Sequence, residues 1–127
     1  MPLSLEEQER FVMLHLSRDL ETVLAAVARR DLEPRDLAVL VCLISFMDRM
    51  GKVRSTSAAV AAQLGVSPSL VGKSITRLRT QAIIAKVYDN KSGETYFLVN
   101  PYVASIGGPQ RRNHLWMQFK AALEDSH

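Results

Sequence analysis

Cysteine is nearly absent: Cys42 is the single one in 127 residues, and it sits inside an apolar run. An internal disulfide is excluded and no cysteine zinc cluster can be assembled, so the chain is expected in a reducing cytoplasm. Long hydrophobic stretches are missing too. The longest, Leu37 to Ile44, falls far short of the roughly 20 residues a bilayer needs, so no membrane partner is expected. The opening MPLSLEEQER is acidic, with no basic segment leading into an apolar one, so it does not read as a secretory signal. His15, His114 and His127 are scattered, with no i, i+4 pair, so no metal site is expected. The acids show no paired arrangement for acid/base work, and no serine has a base in a recognisable setting. Gly72-Lys73-Ser74 imitates the end of a phosphate-binding loop, but Ser67 stands where that loop needs its first glycine and no strand precedes it. Neither catalysis nor a cofactor is expected.

What the chain has is a core and an uneven charge. Hydrophobic residues make up 47% and charged residues 23%, the balance of one globular domain. The net charge of +3 is unevenly spread. The first 48 residues carry nine acids against five arginines, and the last third is balanced. Between them Arg49, Lys52, Arg54, Lys73, Arg77, Arg79, Lys86 and Lys91 face Asp89 alone. A contiguous basic third on a near-neutral chain is the footprint of a polyanion binder. It equally describes a solvated basic face, and the motif inside it decides between the two.

Residues 1–127 read as a single domain. It has a frayed acidic lead-in over 1–10, an N-terminal extension over 11–33, a core over 34–101 and a C-terminal helix over 109–125. Phe11 to Leu16 is a short apolar run, either a strand or the entry to a helix. Ser17 caps an amphipathic helix over 18–30. Pro34 opens a helix over 35–50 that Gly51 stops. It lacks a polar face and is therefore expected to be buried all round. Ser55, Thr56 and Ser57 offer hydroxyl caps for a helix over 57–64. Ser67 caps the next, over 68–81, with Pro68 as its first residue. Strands follow over 83–88 and 95–99, joined by the turn formers Asp89 to Glu94.

The order helix, helix, turn, helix, hairpin is the winged helix-turn-helix plan, and the fold class is mainly α with a small β-hairpin and extra helices at both ends. Its signature is Val60-Ala61-x-x-Leu64-Gly65-Val66-Ser67-x-x-Leu70-Val71-x-x-x-Ile75. Ala61 is small where the helices cross, Gly65 takes the turn, and Val66 and Val71 fill the gap. A plain helical hairpin is the competing structural reading.

On the second helix Pro68, Ser69, Gly72, Lys73, Thr76, Arg77 and Thr80 point away from the core. Lys73 and Arg77 share a face, and either is suited to guanine O6 and N7, while a threonine methyl suits thymine. Gly72 in mid-helix costs about 1 kcal/mol against alanine. Close approach of the backbone to the floor of the major groove accounts for it, with tight helix packing as the alternative. Arg54, Ser55, Thr56, Ser67 and Ser69 complete the set as phosphate holders or caps, and Lys91 stands at the hairpin tip. Lys52, Arg79 and Lys86 are secondary candidates. Leu115, Trp116, Phe119 and Leu123 form an apolar stripe on the last helix, read as a homodimer interface in preference to packing on the same domain. Arg111 and Arg112, at that helix's start, are read as contacts to phosphate or to a partner's acid.

From Ser55-Thr56 through LGVSPSLVGKSITRL, Leu98-Val99-Asn100-Pro101 and Gly107-Gly108, the pattern resembles the RepL-type plasmid replication proteins over roughly residues 11–124. Much of it is also similar to MarR-like winged-helix regulators. The resemblance implies a double-stranded DNA-binding protein of plasmid replication or maintenance; the residues equally suit transcription regulation. The rival reading is a winged-helix module that docks an acidic protein or RNA.

Overall fold

A computed structural model describes residues 12–14, 18–106 and 109–125. The lead-in over 1–10, the Ser17 cap and the Gly107-Gly108 linker lie outside the described residues. The elements run β1 (Val12–Leu14), α1 (Arg18–Ala28), α2 (Pro34–Ser45), β2 (Lys52–Val53), α3 (Ser57–Leu64), α4 (Pro68–Thr80), β3 (Ile84–Tyr88), β4 (Thr95–Val99), β5 (Ala104–Ile106) and α5 (Pro109–Asp125). The short strand option for the early apolar run is the one realised. β1 pairs antiparallel with β5, which was not expected as a strand. β2, β4 and β3 form a second antiparallel sheet in that order.

Two helices end earlier than their patterns predict. α1 stops at Ala28, and Arg30 takes a left-handed φ of 67° so that the amides of Asp31 and Leu32 both reach Ala26 O. Leu32 is thereby buried. α2 stops at Ser45 because Asp48 competes for the chain. Its carboxylate accepts from the amides of Met50, at 2.8 Å, and Lys52, at 2.9 Å, which bends the segment back into β2. Gly51 therefore sits in this turn, at φ 77°, and not at the helix end.

α2 is also not buried all round. Val39, Leu40, Leu43 and Ile44 are in the core, but Val41 is 53% exposed. Pro34, Leu37, Val41, Cys42 and Leu64 line a groove of about 540 Å³ that α3 leaves open along α2. Burial raises the Cys42 thiol above its ordinary value, which suits its reading as packing.

The sheet has two working faces. Side chains alternate across a strand, so Ile84, Phe97 and Val99 join the helices α1 to α4 in the main core, while Ala85 and Leu98 face the other way. α5 covers that second face with Phe119 and Ala122, flanked by Trp116 and Leu123. Trp116 meets Tyr102 edge-on at 5.1 Å. The stripe expected to pair two copies is thus spent within the chain. A row of apolar side chains fits a partner helix and a sheet of its own domain equally, and here the sheet is the nearer surface.

Candidate nucleic-acid interface

Ala61 of α3 is buried, and Val71 and Leu78 of α4 are fully enclosed in the same core. Thr56 caps α3 through the Ala59 amide at 3.1 Å. Gly65 closes α3 in a left-handed conformation, φ 70°, which a side chain would disfavour. Ser67 then caps α4 through the Leu70 amide at 3.3 Å. The hydroxyls of Thr56 and Ser67 are occupied by this work, so their first role is to fix the turn that aims α4.

α4 turns an open face outward. Pro68, Ser69, Lys73, Thr76 and Thr80 are exposed, and Gly72 lies among them. A Cβ added to Gly72 would meet nothing within 4 Å, so tight packing does not account for this glycine. Thr76 and Thr80 hydroxyls donate back to the carbonyls of Gly72, at 3.0 Å, and Thr76, at 2.9 Å. Among the described residues no carboxylate pairs with Lys73.

Arg77 departs from this picture. Its Nε donates to Asp36 Oδ2 at 2.8 Å and its Nη2 to Asp36 Oδ1 at 3.1 Å, with Glu33 Oε2 at 3.4 Å. The expectation that this guanidinium reads a base is revised, because it is paired with Asp36 in the first turn of α2 and with Glu33 at that helix's cap. Sequence spacing along α4 shows that Arg77 shares a face with Lys73, but a partner 41 residues away is invisible to it.

Arg54 departs in the same way. Its guanidinium pairs with Asp48, before β2, and with Glu94, before β4. It ties the root of the hairpin to the turn after α2, so the guanidinium expected on phosphate is paired within the chain. Ser55 is half-buried, and its hydroxyl makes only a marginal contact with Thr56 O, at 3.5 Å.

The hairpin tip is built by Asp89, whose carboxylate accepts the Lys91 amide at 2.9 Å. This and further bonds from Ser92 hold the Asp89 carboxyl below its ordinary value. Lys91 and Ser92 are exposed at the tip. The pleat adds two residues that composition did not single out as a pair. Lys86 and Tyr88 share the strand face of Ile84, the side of the sheet on which the helices pack, but lie exposed beyond the core. Tyr88 is 63% exposed, and its place at the strand end beside a turn was the available signal. Elsewhere Lys52 lies over the Tyr96 ring at 4.7 Å, Arg112 over Tyr102 at 5.4 Å, and Arg111 donates to Arg49 O at 2.6 Å. The two arginines that open α5 thus each make a contact within the chain.

The fold is a winged helix-turn-helix. No family model and no curated protein matches the chain. Solved structures that resemble it include a MarR-family transcriptional regulator from Rhodococcus sp. RHA1, at 20% identity and TM-score 0.46, covering 84% of this chain and 70% of that one. The S. aureus MepR structure, a complex with DNA, matches at 12% identity and TM-score 0.44, over 85% of this chain and 68% of that one. AdcR, the adhesin competence repressor of Streptococcus pyogenes, matches at 17% identity and TM-score 0.40, over 84% and 68%. The RepL-type resemblance stands on the residues quoted for it alone. Among the described residues no helix is long and apolar enough to cross a membrane, and no cluster of three or more potential metal ligands occurs.

Proposed function

We propose that the chain binds double-stranded DNA in a sequence-dependent way, with α4 in the major groove and the 89–94 hairpin along the flank. The observation that carries this reading is the open, basic face of Ser69, Gly72, Lys73 and Thr76, where the space beside the half-buried Gly72 is empty for 4 Å around a Cβ position. A duplex floor needs such a face: small residues for approach, a cation for guanine, methyls for thymine. Lys73 reads a base edge. Lys86, Lys91 and Arg79 neutralise phosphates, with Ser69 and Ser55 as hydroxyl donors to them. Arg54, Thr56, Ser67 and Arg77 act one step back, by holding the reading elements in place.

The cellular role within this reading is control of transcription. Replication or maintenance of a mobile element remains the second use of the same surface, on the RepL-type resemblance. Two copies on paired half-sites fit either use. Since α5 spends its apolar stripe internally, such a dimer has to use another surface. Light scattering of the full chain with and without duplex tests this, and one copy per site would remove the dimer.

The deciding experiment is selection from randomised duplex DNA by the full chain, near physiological salt. An enriched sequence bound with a steep salt slope is the expected result. Equal retention of all duplexes, or preference for RNA or an acidic protein, would sink the proposal.

A further inference from the structure

Asp36 is a fully buried carboxylate on the first turn of α2, and Arg77 is a partly exposed arginine on the last turn of α4. The pair is bidentate, and Asp36 Oδ2 also accepts the Glu33 amide at 2.9 Å. That second bond fixes the carboxylate against the start of its own helix. Apart from the buried Ser74 side chain, which also favours the charged Asp36, the remaining contacts between the two helices are apolar: Val71, Ile75 and Leu78 of α4 lie in one core with Val39, Leu40 and Leu43 of α2. Apolar contacts hold α4 down but are non-directional, so they tolerate small rotations about its axis. A forked guanidinium on a fixed carboxylate is directional. Each residue on a helix is turned about 100° from the last, so a small roll of α4 carries Lys73 and Gly72 off the groove floor.

We infer that Asp36 and Arg77 are positioning residues for sequence readout, setting the roll of α4 so that Lys73 meets a base edge. This rests on the proposed DNA-binding reading. It sets Arg77 apart from a phosphate contact, and it gives an acid next to a DNA-binding face a favourable role. Simple charge counting makes the opposite forecast for Asp36. Removing a negative charge from a polyanion binder should tighten binding to every duplex.

The test uses the full chain and one duplex selected by wild type, with a scrambled duplex as control. Asp36→Asn and Arg77→Lys are compared with wild type for affinity, for the ratio between the two duplexes, and for the salt slope, each on protein shown to be folded by circular dichroism. The expected result is that the ratio falls about tenfold or more in Asp36→Asn, the size of one lost base-pair discrimination. Binding to the scrambled duplex is kept or strengthened. Arg77→Lys, which keeps the charge but loses the fork, lowers the ratio at an unchanged salt slope. A role in stability alone would lower the melting temperature and leave the ratio of folded protein untouched. If Asp36→Asn does not fold, Arg77→Lys decides. An unchanged ratio in both variants overturns the inference, as does an Arg77→Ala salt slope reduced by about one phosphate contact. If wild type selects no sequence, the DNA reading falls and takes this inference with it.

Discussion

Leu115 lies where a side chain at Gly51 would have to go. A Cβ added to Gly51 would come within 2.9 Å of Leu115 Cδ2. The turn before β2 and the first half of α5 are therefore fitted to one another across most of the chain. Gly51→Ala should destabilise by about 1–2 kcal/mol through the left-handed backbone alone, and somewhat more as Leu115 shifts. Urea denaturation checks this, with Leu115→Ala expected to remove the contact part of the loss in the double variant.

Phe119 is 1% exposed, between Ala85 and Leu98 on the outer face of the sheet. Phe119→Ala should cost about 3–5 kcal/mol, the range for emptying a buried aromatic site. Truncation after Gly108 should likewise expose that face and lower the melting temperature. A truncated chain as stable as the full one would mean that α5 does not hold the sheet.

Gly72→Ala should act with opposite signs on fold and binding. With nothing within 4 Å of the new methyl, the helix gains about 0.8–1 kcal/mol. Affinity for the selected duplex should fall if the backbone sits on the groove floor. A variant that is both more stable and an equal binder would mean that the glycine does not approach DNA.

The architecture was legible because each boundary had a local cause. Pro34, Thr56, Ser67 and Gly65 act within three or four residues of themselves, and the caps and the turn fall where those residue types place them. The errors arose where the cause was distant. Charge, and for Arg77 its place on the face of Lys73, marked Arg54 and Arg77 as DNA contacts, and nothing near them in the chain announced Glu94, Asp36 or Glu33 as partners. The α5 stripe was legible as apolar, but its destination on Ala85 and Leu98 was not. α2 carries an exposed Val41 because apolar composition does not say which side has neighbours.

Acid should act on the Asp36–Arg77 pair with a definite sign. Burial raises the Asp36 carboxyl, but Arg77, the Ser74 side chain and the Glu33 amide outweigh it and hold it below the ordinary 3.8. A carboxyl lowered on folding adds stability that is fully present above its unfolded value and lost as pH falls through the folded one. The stability gap between wild type and Asp36→Asn should therefore be constant from neutrality to about pH 5 and shrink below it. A gap that widens in acid would reverse the sign. At neutral pH Arg77→Ala should cost about 3 kcal/mol, the low end for breaking a buried pair, because part of Arg77 faces water.

The central claim is that α4 lies in the major groove with Lys73 on a base edge. Methylation protection at guanine N7, which opens only into that groove, tests it most directly on the selected duplex. The account predicts that wild type shields N7 positions within the site and that Lys73→Ala restores reactivity at one of them while the complex persists at higher protein concentration. Full N7 reactivity throughout a saturated complex would contradict it.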